Sequence, residues 1–317
     1  MELIDQVSFG HVVIDDIELA DGTKFPNQLG GAGIYAVVGQ ALASKAGKAG
    51  IVSGMGEDFS ALERSLLQTQ GIDDRGLVAL DAHTPRTRIQ YFADGEREET
   101  PAHGLAHFEK LDPALAITPQ EYLQARGIYV FEALNPTLFG QLADLKQSHN
   151  TDILWEIHAG ICSPEFFESV VAQLIQVDVL SINRAELQGL CGTTDLIAGV
   201  EKLVARTDAV IALRLGSKGA IVLTKDKTYR AQPPAGVVID PTGAGNAFSG
   251  AFVAGYSESN GQPEVALKTA MAASALTIRQ YGPPQVTELT RAHMREVAAS
   301  IEVQISDINA LQNGNLL

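Results

Sequence analysis

The sequence predicts an α/β fold built on a mostly parallel sheet, and three features carry that expectation. β-Branched runs alternate with helical segments: Lys48 to Gly54 precedes a helix from Ser60 to Gln70, Ile128 to Phe131 precedes a helix opened by Asn135-Pro136, and Val177 to Ile182 runs into Asn183 and a further helix. Repetition of that unit is the mark of parallel strands joined by crossover helices. Val237 to Gly250 then reads as a strand ending at Asp240, a glycine-rich turn at Gly243 and Gly245, and a small-residue helix from Asn246 to about Tyr256. Between Leu77 and Glu99 the rhythm changes to short extended runs, Arg86 to Phe92 and Glu96 to Glu99, joined by Ala93-Asp94-Gly95. Asp-Gly between extended runs predicts a hairpin.

Composition bounds the function. The 317 residues carry 23 Lys plus Arg against 38 Asp plus Glu, a net charge of -15, which argues against a nucleic-acid or anionic-membrane surface. The start, Met-Glu-Leu-Ile-Asp-Gln, has neither the basic region nor the apolar core of a signal peptide, and no apolar run approaches the roughly 18 residues of a membrane span. The expectation is a cytoplasmic protein, monomer or homodimer, with Cys162 and Cys191 reduced and outside any metal cluster. No repeat or composition break divides the chain, so residues 1–317 are expected to form one domain, with lid strands inserted at about 12–28 and 85–100.

In chain order, Phe9 to Ile14 is read as a strand ending in Asp15 and Asp16, which places carboxylates at the sheet edge where open α/β folds bind ligands. Gly30, Gly31 and Gly33 lead into a small-residue helix from Ile34 to Ala43. The strand Ile153 to Glu156 continues through Ile157-His158-Ala159, and a lone His after a strand reads as structural. Asn183 and Glu186 stand one helical turn apart and present an amide and a carboxylate on one face, or form an ordinary helix cap. Ala209 to Leu215 and Ala220 to Thr224 flank Gly216-Ser217-Lys218-Gly219, a good hairpin turn. Pro263 to Arg279 is an alanine-rich helix, Gln280-Tyr281-Gly282-Pro283-Pro284 a loop, and Leu289 to Glu302 a last helix before a polar tail. At Gly243 to Gly245 the helix-start amides lack intrahelical partners and the dipole adds positive charge, so the turn suits a phosphate or developing oxyanion.

Asp240-Pro241-Thr242-Gly243-Ala244-Gly245-Asn246-Ala247-Phe248 resembles the second signature of the ribokinase-like (PfkB) sugar and nucleoside kinases, usually Asp-Thr-Thr-Gly-Ala-Gly-Asp-x-Phe. The Gly30-Gly31 segment is similar to the family's first signature, with Tyr35 where a sugar-binding asparagine usually stands. The order Asp15, Gly30-Gly31, hairpin, Asn183/Glu186, Gly216/Gly219, Asp240 to Asn246 follows the family layout across nearly the whole chain. Trp155-Glu156 with Cys162-Ser163-Pro164-Glu165 is similar to a fungal branch of it. Ile157-His158-Ala159 lies where many members carry Asp-x-Asn, and through that resemblance Glu156 and His158 become candidates to face the site.

The resemblance implies a doubly wound sheet with a small β-hairpin lid and ATP-dependent phosphorylation of a hydroxyl on a small sugar-like or nucleoside-like molecule. It assigns Asp15, Gly30, Gly31, Tyr35 and Asn246 to the acceptor, and Asn183, Arg214, Gly216, Gly219 and Gly245 to the nucleotide. Gly243, Ala244 and Gly245 would stabilise transferring charge. Asn183 and Glu186 would organise magnesium through water, and Asp240 and Thr242 would hold potassium. The family's general base is an aspartate at the place of Asn246, and an amide cannot accept the proton. Three accounts stay open: an engineered Asp-to-Asn exchange, a natural ligand-binding or regulatory protein that keeps the kinase architecture without efficient transfer, or an enzyme of different chemistry on the same fold. On sequence alone Asn246→Asp is expected to raise transfer by about 10²-fold or more.

Overall fold

A computed structural model describes residues 4–45, 48–92 and 97–308. Its strands, in chain order, are β1 (Gln6–Phe9), β2 (Val13–Glu18), β3 (Lys24–Gly30), β4 (Ala49–Gly56), β5 (Ile72–Asp81), β6 (Arg86–Tyr91), β7 (Arg97–Pro101), β8 (Gly127–Glu132), β9 (Asp152–Ile157), β10 (Val179–Asn183), β11 (Val210–Arg214), β12 (Ala220–Leu223), β13 (Lys227–Ala231) and β14 (Val303–Asp307). Ten of them form one sheet in the order β14-β13-β12-β11-β10-β9-β8-β1-β4-β5, and β3-β2-β6-β7 form a second. From β5 to β11 every pairing in the large sheet is parallel, whereas β11 to β14 are joined antiparallel. This is the expected ribokinase-like architecture, with an antiparallel extension.

Parallel strands need cover on both faces because crossover helices lie on both. Successive strand residues turn to opposite sides, and the core divides accordingly. Tyr129, Leu154 and Ala212 pack with Phe248, Ala251, Phe252, Ala266 and Ala270 on one face. Ile128, Val130, Trp155 and Leu213 pack with Leu138, Phe139, Val170 and Val200 on the other. On the first face the helices Ala32–Ala43 and Ala244–Glu258 cross almost in backbone contact: a Cβ on Gly39 would overlap the Ala247 carbonyl, and one on Gly250 the Ala36 carbonyl. Ser181 on β10 holds the second helix to the sheet through a 2.8 Å hydroxyl bond to Ser249.

Several boundaries depart from the sequence reading. The run Phe9 to Ile14 is not one strand: β1 ends at Phe9, and the chain passes through Gly10 into β2 of the second sheet. Gly10 sits against Gly33, so the chain bends where the backbones meet. Asp15 therefore lies on the small sheet, not at the end of a main-sheet strand.

The polar tail after the last helix contains β14, which closes the edge of the large sheet on β13. Val237-Val238-Ile239 forms no strand. These residues are 74, 59 and 48% exposed, and the amides of Ile239 and Asp240 both donate to the Ile278 carbonyl, at 2.7 and 3.2 Å. The hairpin strands β6 and β7 pair antiparallel as expected, while the turn Ala93-Asp94-Gly95 lies outside the described residues. Among the described residues no helix is long and apolar enough to cross a membrane.

Candidate active site

The close helix crossing brings two glycine turns together. Gly31 caps the helix Ala32–Ala43 with φ 90°, and Gly243 caps the helix Ala244–Glu258 with φ 72°, both backbone conformations that favour glycine. Tyr35, from the first helix, lies under the second turn: a Cβ on Gly243 would run into its ring. Tyr35 is buried, and burial first, then the Asp240 and Asp15 carboxylates, keep its hydroxyl protonated far above the usual range. Its ring is thus the floor of the glycine turn.

Ala244 spends its amide on the Pro241 carbonyl at 3.2 Å. Gly245 and Asn246, next in the first helical turn, have no intrahelical acceptor by position. The anion-binding capacity at this terminus therefore rests on Gly245 and Asn246 more than on Ala244.

Asp240 is almost wholly buried beside the turn. Its Oδ1 accepts from the Thr242 amide at 2.8 Å and the Tyr91 hydroxyl at 2.7 Å. Its Oδ2 is buried without a partner among the described residues, which fits a loosely coordinated cation because an unpaired buried carboxylate oxygen is costly. Tyr91 on β6 also meets the Thr242 hydroxyl at 2.7 Å, and Arg97 on β7 donates to Thr242 and pairs with Glu99 at 2.8 Å. The small sheet is thereby fastened onto the glycine turn. A stacked pair, Phe25 on β3 with Tyr281 at a 5.3 Å ring separation, makes another such contact.

Asp15 faces inward from β2, while its neighbour Asp16 turns outward to Arg86 at 2.7 Å and the Asn27 amide at 3.0 Å. Asp15 packs against Gly30, where a Cβ would overlap its Oδ2. Burial, then the Glu99 carboxylate, lift its carboxyl to about 7, with Arg97 opposing. Asp15, Gly30, Gly31, Tyr35 and Asp240 thus border one region beneath the small sheet.

On the other side of the turn, Asn183 and Glu186 form a reciprocal helix cap: Glu186 N donates to Asn183 Oδ1 at 2.9 Å, and Asn183 N to Glu186 Oε2 at 2.7 Å. Burial raises the Glu186 carboxyl, with Arg214 opposing. Gly216 and Gly219 bound the turn between β11 and β12, with φ 60° and 86°. Arg214 does not extend outward. Its Nη1 pairs with Glu156 Oε1 at 2.7 Å and its Nη2 with Glu186 Oε2 at 3.4 Å, and a Cβ on Gly245 would overlap Nη1. The guanidinium is a largely enclosed tie beneath the helix start, its side chain 14% exposed.

Glu156 also accepts from the Tyr129 hydroxyl at 3.0 Å, and Asn246 Nδ2 reaches that hydroxyl at 3.1 Å. His158, by contrast, accepts from the Gly160 amide at 3.1 Å and packs on Phe131, a local cap. Tyr91, Arg97 and Tyr129 were not singled out by sequence reasoning. Tyr129 is hidden inside the apolar run Ile128 to Phe131, and nothing local to Tyr91 or Arg97 shows which loop the hairpin will touch.

A doubly wound α/β sheet with a second, four-stranded sheet folded over an amide-rich turn is the architecture that frames these residues. The chain belongs to the pfkB family of carbohydrate kinases, which it matches over residues 4–288. A cytidine kinase of Thermococcus kodakarensis is 25% identical over 297 residues, covering 90% of this chain and 100% of the relative. The adenosine kinase structure from Sinorhizobium meliloti aligns with a TM-score of 0.76 at 19% identity, covering 93% of this chain and 100% of the other. Ribokinase of Arabidopsis thaliana, complexed with ribose and ATP, aligns with a TM-score of 0.72 at 21% identity, covering 94% and 99%. The structural likenesses establish the fold.

Proposed function

We propose that the chain binds magnesium-ATP and a small sugar-like or nucleoside-like acceptor in a phosphotransferase site whose transfer step is attenuated at Asn246. The observation that carries this reading is the glycine turn itself, where helix-start amides, the buried Asp240 and the lid residues Tyr91 and Arg97 converge. Phosphoryl transfer is catalysed mainly by positioning and charge stabilisation, and those elements remain in place.

Under this reading Asp15, Gly30, Gly31 and Tyr35 hold the acceptor beneath the lid. The amides of Gly245 and Asn246 take the transferring group, and the turns at Gly216 and Gly219 border the donor phosphates. The exposed ledge Val237 to Ile239 offers an apolar surface to the nucleotide base. Among the described residues no group of three or more His, Cys, Asp or Glu side chains stands ready to hold a metal. Magnesium would therefore rely on water and phosphate oxygens, which suits its chemistry, with Asn183 and Glu186 reaching it through water. The orphaned Oδ2 of Asp240, with Thr242, would take potassium. Arg214 enters as a support of the turn.

The second reading, a ligand-binding protein without turnover, is favoured by Asn246 alone. Calorimetry with magnesium-ATP, followed by ADP release with cytidine, D-fructose and ribose as acceptors, tests both. Magnesium-dependent binding with slow ADP release supports the first, binding with no release by any acceptor supports the second, and no nucleotide binding rejects both.

A further inference from the structure

The hydrogen-bond chain behind the glycine turn fixes which way Asn246 faces. Glu156 pairs with Arg214 at 2.7 Å, and as the carboxylate of that ion pair it only accepts. Its Oε2 lies 3.0 Å from the Tyr129 hydroxyl, which must donate its single proton there. Burial first, then the Glu156 charge, keep that proton on Tyr129 far beyond the usual range. What Tyr129 presents to Asn246, 3.1 Å away, is therefore a lone pair. Only the amide nitrogen satisfies it, so the orientation follows from the neighbours' proton inventory and not from the atom labels.

We propose that Tyr129 is a positioning residue that holds Asn246 with its nitrogen inward and its oxygen turned away as a fixed hydrogen-bond acceptor, and that Tyr129, Glu156 and Arg214 together select an amide over a carboxylate at this position. The assignment of that oxygen to the acceptor hydroxyl rests on the proposed function; the selection of the amide does not. The arrangement makes the partly buried Asn246 a matched part of a network anchored on the buried Tyr129 and Glu156, and it changes the expectation for Asn246→Asp. A carboxylate at 246 would gain about 0.3–1 kcal/mol from the helix start. It would nevertheless face a hydroxyl that has no proton left to give, with the Glu156 charge just behind it, and the lost hydrogen bond alone costs about 1–3 kcal/mol. The Arg214 guanidinium is already shared between Glu156 and Glu186. An aspartate there must protonate, or draw the Tyr129 proton away from Glu156. The single exchange therefore does not deliver the gain in transfer that sequence alone suggests.

The test needs no ligand. Thermal unfolding of the wild type and Asn246→Asp is compared between pH 4.5 and 8. An acid whose folded pKa is raised is not penalised below its unfolded value near 4 and is increasingly penalised as pH rises. The melting temperature of Asn246→Asp should therefore match the wild type at pH 4.5 and fall below it by about 4 °C or more at pH 8. In the opposite orientation Tyr129 would donate to the new carboxylate, and the variant would gain stability as pH rises. That result, or a difference independent of pH, overturns the proposal.

Tyr129→Phe supplies the second arm, because removing the hydroxyl should shrink the pH-dependent loss caused by Asn246→Asp at least twofold. An undiminished loss in the Tyr129→Phe background counts against Tyr129 as its source. If calorimetry meanwhile finds no nucleotide binding, the kinase reading fails while the proton inventory stands on the unfolding data.

Discussion

Replacing Asp15 by asparagine should make the protein more stable at neutral and alkaline pH. Asp15 is buried against Gly30, and burial followed by the Glu99 charge lifts its carboxyl from the ordinary 3.8 to about 7. The folded state therefore favours the protonated form. Stability from this group is fully present below the unfolded value, declines as pH rises through the interval, and is lost above about 7. At ~1.36 kcal/mol per pH unit, a lift from 3.8 to about 7 corresponds to roughly 4 kcal/mol.

An asparagine side chain has nearly the same shape and no charge to desolvate, so Asp15→Asn should match the wild type near pH 4 and exceed it by up to ~4 kcal/mol at pH 8. Urea unfolding at pH 4.5, 6, 7 and 8 reads this directly, with the difference growing across the series and levelling above pH 7.5. A constant difference, or a wild type more stable at pH 8, would refute the reasoning. Retaining a carboxyl at that cost fits an acceptor-binding role, since stability is commonly given up at functional sites.

Two further outcomes follow from the lid and the buried carboxylate. Tyr91→Phe removes the hydroxyl that bonds both Asp240 and Thr242, so amide exchange in β6 and β7 should quicken about 10-fold for a loss of ~1.4 kcal/mol, and unchanged exchange would deny the fastening role. Potassium chloride should raise the melting temperature by about 2 °C or more over N-methylglucamine chloride at equal ionic strength, through the unpartnered Asp240 Oδ2. Asp240→Asn should abolish that rise, and a rise that survives the exchange would remove Asp240 as the site.

What the sequence made legible was whatever is encoded locally. Asn135-Pro136 predicts a cap and first-turn proline, and the Asn135 side chain accepts from Leu138 N as expected. Asn183 and Glu186 read as a helix cap, and their reciprocal bonds are present. Local pattern failed where a distant segment decided the outcome. Val237 to Ile239 has the residues of a strand, but the amides of Ile239 and Asp240 bond the distant Ile278 carbonyl, and β14 is the strand that pairs with β13. β14 itself alternates Val303 and Ile305 with polar residues, a signal masked by the polar tail around it.

Tyr129 could not be separated from Ile128 and Val130, because strands covered on both faces read as continuous apolar runs. Its role appears only once β9 brings Glu156 beside it. The two carboxylates that hold Arg214, Glu156 and Glu186, lie 58 and 28 residues away in sequence, so its ion pairs show only in the folded chain.

Arg214 offers the sharpest separation between a structural and a ligand-binding role. As a tie beneath the turn, it is shared between Glu156 and Glu186, with only 14% of its own side chain exposed. Arg214→Met would keep much of the apolar stem while leaving the buried Glu156 and the partly buried Glu186 without their cation, held only by the Tyr129 hydroxyl and the Asn183 amide. Removing one partner from a buried ion pair costs about 3–5 kcal/mol, because the other charge stays desolvated. That loss should be largest at pH 8 and should shrink toward pH 4, where the carboxylates of the variant take up protons instead.

Adding Glu156→Gln and Glu186→Gln to Arg214→Met should recover most of the stability, since no buried charge then remains. A phosphate-binding arginine behaves otherwise: Arg214→Met would keep its stability within ~1 kcal/mol at every pH and bind magnesium-ATP at least 10-fold more weakly. Urea unfolding across pH, with calorimetry on the folded variant, distinguishes the two. The buried geometry predicts the first pattern, and the second would return Arg214 to the nucleotide.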